Sequence, residues 1–310
     1  MTGARRVAAI DCGTNSIRLL VADVDPVRGT LVDLDRRMEV VRLGQGVDRT
    51  GRLAPEALER TFAACRRYAD VIGALGATRL RFVATSASRD AENSPDFVTG
   101  VRTILGVDPE VVSGHEEAVL SYTGATRELT GGRHPPPYLA VDIGGGSTEF
   151  VLGNRTVRAA RSVDVGCVRM TERHLHSDPP TPAEVAAARR DVDAGVALAA
   201  RTVPLRAART LVGLAGSVTT VAAMALDLPA YDPERIHHAR IPAAKVRAVA
   251  DALLAMTRAQ RAALPFMHPG RVDVIGAGAL VLSASLEAAG AVAMVASEHD
   301  ILDGIAWSLA

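Results

Sequence analysis

Lysine is nearly absent from this chain. Lys245 is the only one, so almost all positive charge is carried by arginine. A P-loop, which needs a lysine directly after its glycine-rich turn, is thereby excluded. Cysteine is scarce too: Cys12, Cys65 and Cys167 are odd in number, far apart and in no Cys-x-x-Cys pair. That argues against a zinc ribbon and for free thiols in a reducing cytoplasm. Net charge is missing altogether, with 35 basic and 35 acidic residues, so nothing in the global balance points to a nucleic-acid partner. No apolar run reaches the roughly 18 residues that suggest a membrane span, and the N-terminus enters a strand without a signal-peptide pattern. What remains is a 310-residue chain, 48% hydrophobic and 23% charged, with the composition of a globular protein of two domains.

The stretch richest in chemistry is LAVDIGGGSTEFVLG, residues 139–153. Both flanks are short apolar runs of strand type, so the polar centre reads as a strand-turn-strand loop. Gly144, Gly145 and Gly146 lack Cβ atoms, which lets the backbone turn sharply and bring its N–H groups close to a ligand. Consecutive N–H groups in such a turn make an anion-binding concavity. Ser147 and Thr148 add hydroxyl donors, and Asp142 offers a carboxylate for a divalent cation or a water. Phosphate is the guest this loop fits. VAAIDCGTNSIRLLVADV, residues 7–24, repeats the pattern without a gap: Asp11 aligns with Asp142, Gly13 with Gly144, Ser16 with Ser147 and Leu20 with Val151. A dinucleotide fingerprint does not fit, because that motif opens a helix and Glu149-Phe150-Val151-Leu152 resumes a strand.

Elsewhere the apolar spacing alternates between strands and helices, an α/β pattern. Helices are expected over 54–75, 96–105, 183–202, 242–263 and 273–288. The glycine- and proline-rich residues 131–137 form the best linker. They divide a first domain, 1–130, from a second, 131–298, with a last amphipathic helix over 299–310 packing back on the first.

Other candidates are ambiguous by residue type alone. Glu116 and Glu117 sit at a strand-to-helix junction, where the helix N-terminus stabilises carboxylates; capping and activation of water are both open. Arg89 and Asn93, four apart, share a face if their segment is helical and then suit phosphate oxygens. Arg169 and Thr171 carry the same ambiguity. Gly216 and Ser217 lie in a strand-helix turn that is either simply close-packed or a second backbone approach to phosphate. The eight histidines show no ligand spacing; His237 and His238 read as a solvated loop, and His299-Asp300 as an isolated pair. A metal held by carboxylates and substrate phosphates is magnesium's habit.

The stretches AAIDCGTNSIRLLVADV, ATSASRDAEN, SGHEEA, AVDIGGGSTEF, DVGCVRMTER and LAGSVTT follow one another along most of the chain. Together they resemble the exopolyphosphatase/guanosine pentaphosphate phosphohydrolase family of the actin/Hsp70/sugar-kinase superfamily. The resemblance implies two actin-like (ribonuclease H-like) domains around an interdomain cleft, with the two hairpins binding phosphate from opposite walls. It implies Glu117 as general base and N–H groups from Gly13, Thr14, Asn15 and Ser16 and from Gly144 to Thr148 on the phosphates. Arg89, Asn93, Arg169, Gly216 and Ser217 join them, and Asp11 or Asp142 holds Mg²⁺. The expected reaction is hydrolysis of the terminal phosphoanhydride of inorganic polyphosphate by a cytoplasmic homodimer, with no nucleic-acid or membrane partner. The same motifs serve hydrolysis of guanosine pentaphosphate; a kinase of the superfamily and a non-catalytic phosphate sensor are the rivals from other classes. Longer relatives add C-terminal helical domains that help bind long polymer. This sequence stops at Ala310, so short chains are the expected substrate.

Overall fold

The computed structural model describes residues 3–129 and 132–310; Thr130 and Gly131, on either side of the expected domain boundary, lie outside the described residues. The chain forms two compact units, one running to Gly124 and including Ile301–Ala310, the other Ala125–Asp300.

The first unit contains β1 (Arg5–Cys12), β2 (Ser16–Asp25), β3 (Thr30–Val40), α1 (Val47–Thr50), α2 (Pro55–Leu75), β4 (Arg79–Ala84), α3 (Ser86–Asp90), α4 (Ser94–Leu105), β5 (Glu110–Val111) and most of α5 (Gly114–Thr126). Its sheet runs β3-β2-β1-β4-β5, with β1 to β3 antiparallel and β4 and β5 parallel to β1. Side chains alternate between the faces of a strand, and β1 shows why its run is continuously apolar. Ala8, Ile10 and Cys12 join a core with Tyr68 and Phe97 on one face, and Val7 and Ala9 join a second core on the other. α2 starts on Pro55, whose fixed φ suits a first helical position, and ends at Gly76 in the left-handed conformation (φ 69°).

The second unit contains β6 (Tyr138–Ile143), β7 (Thr148–Gly153), β8 (Val157–Val163), α6 (Cys167–His174), α7 (Pro182–Ala200), β9 (Thr210–Leu214), α8 (Gly216–Ala225), α9 (Pro233–Ile236), β10 (Arg240–Pro242), α10 (Ala243–Ala255), α11 (Arg258–Ala262), α12 (Ile275–Ala289) and β11 (Ala293–Ala296). Its sheet runs β10-β11-β9-β6-β7-β8. Without β10 this is the strand order of the first unit: a three-stranded antiparallel meander followed by two strands parallel to its first. The duplicated order is the actin-like α/β arrangement. The single helix expected over 242–263 is two. Met256 is extended, and Thr257 forms a reciprocal capping box with Gln260 that starts α11 afresh.

The last helix, α13 (Ile301–Ser308), belongs to the first unit and packs Ile301, Leu302 and Ile305 against Val7, Ala9, Leu20 and Ala22. The approach to α5 depends on one missing side chain, because a Cβ at Gly304 would overlap the carbonyl of Leu120. Backbone cannot step aside as a flexible side chain can. Gly304→Ala is expected to destabilise the protein by about 1–3 kcal/mol in urea unfolding; an unchanged midpoint would show that α13 is not held this closely.

Candidate active site

The two glycine loops close in the same way. Gly13 N donates to Ser16 O (2.9 Å), and Gly144 N donates to Ser147 O (3.0 Å). In the second unit the loop's carbonyls are turned toward α6. Gly144 O accepts from Cys167 N (2.9 Å), Gly145 O from Val168 N (2.9 Å) and Arg169 N (3.1 Å), and Gly146 O from Arg169 Nε (2.8 Å). A trans peptide places the next N–H on the opposite edge from its C=O. The N–H groups of Gly145, Gly146 and Ser147 therefore point away from α6, as a row of donors. Thr148 Oγ1 donates to Val165 O and ties the end of the loop to the same connection.

Neither Gly13 nor Gly144 is in the left-handed region, yet both loops turn tightly, each closed by its own backbone bond. The glycine requirement is clearest at the partners that press on the loops. A Cβ at Gly166 would overlap the Gly145 carbonyl, and one at Gly44 would overlap the Thr14 side chain. In the first unit Thr14 O accepts from Gly44 N (2.8 Å), Asn15 O accepts from Arg42 N (2.8 Å), and Thr14 Oγ1 lies 2.9 Å from Ser86 Oγ. Arg169, expected to grip phosphate, spends its Nε on shaping the loop.

The carboxylates distinguish the two hairpins. Asp142 faces Glu149 across β6 and β7, and Asp11 faces Arg18 at the equivalent place across β1 and β2. Directly opposed residues project from the same face of a sheet. Asp11 Oδ2 takes both Nε (3.0 Å) and Nη2 (2.7 Å) of Arg18, so its charge is already answered. Asp142 and Glu149 are both buried, and Ser162 Oγ donates to Glu149 Oε1 (2.7 Å). Two buried acids on one face of a hairpin are of the residue type a hard divalent cation takes; Asp11, the other acid expected to hold metal, is bound by Arg18. Glu149 was not among the candidates from sequence. Its signal was the register: a hairpin that pairs Ile143 with Thr148 must place residue 149 opposite 142.

Glu117 and Glu116 are also separated by the structure. Ser113 Oγ accepts from Glu116 N (3.2 Å) and caps α5. The Glu116 side chain is 47% exposed and bound by Arg81, which also holds Glu110. The Glu117 side chain is only 9% exposed, and Arg89 Nη1 reaches its Oε2 (3.2 Å) while also donating to Val112 O (2.9 Å). Asn93 is not on the same helix as Arg89. α3 ends at Asp90, Ala91 is extended, and Asn93 lies at the N-terminal boundary of α4. Its amide is committed to a backbone forty residues away, accepting from Leu53 N (2.8 Å) and donating to Leu53 O (3.1 Å). It braces the segment rather than pairing with Arg89.

Gly216 and Ser217 open α8 after Ala215, whose φ of 69° and ψ of 174° lie in a region otherwise kept by glycine. A Cβ at Gly216 would overlap the Arg271 guanidinium, and one at Gly278 would overlap Ser217 Oγ. Arg271 Nη1 reaches Thr220 Oγ1 (3.2 Å). A cation therefore lies against the first turn of α8, a placement that suits an anion and that sequence reading missed, since Arg271 is distant in the chain.

The histidine loop is not merely solvated. His237 and His238 are half-buried and stacked, with ring centroids 3.7 Å apart. Glu128 Oε2 lies 3.2 Å from His237 Nε2 and 3.4 Å from His299 Nδ1, and both histidines hold its carboxyl well below the usual range. Glu298 N donates to His237 Nδ1 (3.2 Å), which leaves Nε2 to carry the proton toward Glu128, a bonded network rather than an open ligand set. Burial, followed by the neighbouring histidines, lowers His238 to about 4 despite the opposing pull of Glu128. An unfolded histidine takes up a proton near 6.5, so His238 subtracts stability as pH falls from about 6.5 to about 4. The fall in thermal midpoint between pH 7 and pH 5 is expected to be smaller in His238→Asn, a residue that tolerates the φ of 61° found here. Equal falls in the two proteins would contradict this.

Among the described residues, no helix is long and apolar enough to cross a membrane. The chain matches the Ppx/GppA phosphatase family over residues 20–310. It is 54% identical to exopolyphosphatase 2 of Mycobacterium tuberculosis, with 98% of each chain covered. Among solved structures, an exopolyphosphatase-like protein superposes with a TM-score of 0.94 at 46% identity, covering 98% of this chain and 97% of that one. The Aquifex aeolicus PPX-GPPA enzyme superposes with a TM-score of 0.81 at 29% identity, over 98% and 99%.

Proposed function

This chain belongs to the Ppx/GppA phosphatase family, and we propose that it is an exopolyphosphatase, removing the terminal phosphate of inorganic polyphosphate by hydrolysis. The observation that carries this reading is Glu117: a buried carboxylate in the first turn of a capped helix, with Arg89 on one oxygen. In the first unit Glu117 takes a proton from the attacking water, and Arg89 fixes the carboxylate's orientation. In the second unit the N–H groups of Gly145, Gly146 and Ser147 receive negative charge on phosphate oxygens as the bond breaks. The water oxygen joins the terminal phosphorus, the bridging oxygen leaves with the shortened chain, and orthophosphate is released. Asp142 and Glu149 would hold Mg²⁺, whose charge, when bound, neutralises phosphate oxygens. Three buried free cysteines fit a reducing cytoplasm.

Phosphate release with Mg²⁺, measured side by side on short polyphosphate, long polyphosphate, guanosine pentaphosphate and ATP, tests this reading. Polyphosphate is expected to be turned over with the highest kcat/KM. A preference for guanosine pentaphosphate would move the assignment to that substrate, and consumption of ATP only with an added acceptor would make the protein a kinase.

A further inference from the structure

The second unit has an open cavity of about 460 Å³ at the end of its sheet away from the glycine loop. It is lined by the segments that enter β6, β9 and β11, whereas the Gly144–Ser147 loop and the Gly216 turn lie where β6 and β9 end. Five residues of β9 separate the two ends, about 17 Å. Arg133, Arg206, Arg209 and Arg240 line the cavity, and no Asp or Glu does. Elsewhere arginines such as Arg6, Arg36, Arg37, Arg67, Arg81 and Arg189 hold carboxylates. Among the described residues, Arg133, Arg209 and Arg240 make no ion pair or side-chain hydrogen bond, and Arg206 only donates Nε to Ala288 O (3.3 Å). Their field is felt locally, since Arg133 and Arg240, after burial, push the lining His134 down. Among its apolar lining, Leu211 and Met294 are buried and form its floor.

We infer that this cavity is a second binding site for condensed phosphate, a ligand with two or more linked phosphates, separate from the site of hydrolysis. Guanidinium forks match phosphate oxygens in pairs, and the volume suits a small polyanion. The ligand is either a distant segment of the polymer or the phosphate tail of a nucleotide whose base rests on the apolar floor. Its identity rests on the polyphosphatase reading; the cationic cavity does not.

Calorimetric titration of the whole protein without divalent metal tests the site, with tripolyphosphate as a probe too short to span both ends of the sheet. Two binding events per chain are expected in the wild type, and one in the triple variant Arg206→Gln, Arg209→Gln, Arg240→Gln, with an unchanged melting curve. Arg235→Gln, an exposed arginine outside the cavity, keeps both events. With metal present, the triple variant turns over tripolyphosphate normally, but its KM for long chains rises roughly tenfold and responds less steeply to salt. Guanosine triphosphate binding more tightly than tripolyphosphate at this site identifies a nucleotide ligand; the reverse order identifies the polymer. A single event in the wild type, or two in the triple variant, overturns the inference. Absence of phosphate release from any polyphosphate by the wild type would instead overturn the function, with the stoichiometry still reporting on the cavity.

Discussion

Glu117→Gln lowers phosphate release by a factor of about 10²–10⁴, the usual contribution of a general base, while polyphosphate still binds within about twofold of wild type. Gln preserves the size of the side chain and an oxygen for Arg89 Nη1, so positioning survives and only proton acceptance is lost. Glu116→Gln is nearly silent by comparison. Its carboxylate points to solvent and to Arg81, a residue that keeps a second partner in Glu110. Steady-state phosphate release and equilibrium binding of polyphosphate check both variants. A Glu117→Gln protein with more than a tenth of wild-type turnover, or equal losses in the two variants, removes the assignment.

Gly166→Ala is the second large effect. The new Cβ would overlap the Gly145 carbonyl, which already accepts from Val168 N and Arg169 N. The loop can relieve the overlap only by rotating the peptide that aims the Gly146 N–H, and that rotation also pulls on the bonds to α6. Loss of one preorganised donor to a developing charge costs about 10²–10³ in kcat, and a loss of that order is expected. The change should appear in kcat more than in thermal midpoint, because the loop is at the end of a sheet whose core is untouched. A variant with normal kcat would show that the row of N–H groups does not meet the reacting phosphate.

Features carried by local patterns were legible in the sequence. The aligned hairpins appeared as repeated Asp, Gly and Ser at equal spacing because a hairpin's register is a local property. The repeated α/β plan of the two halves followed from the same repeat, whereas Glu117 was only one of two acids at a helix start until the family resemblance singled it out. What was not legible depends on residues far apart in the chain. The amide of Asn93 looked available until Leu53 supplied both its partners. Arg271 gave no sign that it lies against Gly216. Gly166 carried no local signal of its role, although its lack of a side chain is what admits the Gly145 carbonyl. The contrast between Asp11 with Arg18 and Asp142 with Glu149 was legible in principle. Extending the alignment two residues past Ser147, and pairing across the turn, places an acid opposite an acid in one hairpin and a base opposite an acid in the other.

The claim at the centre of this account is that water is the acceptor and the terminal phosphorus its target. Turnover of polyphosphate in water enriched in ¹⁸O, followed by mass spectrometry of the products, tests it directly. The account predicts one solvent oxygen in each orthophosphate released and none in the shortened chain. Orthophosphate without solvent oxygen, or the label in the remaining chain, would contradict it.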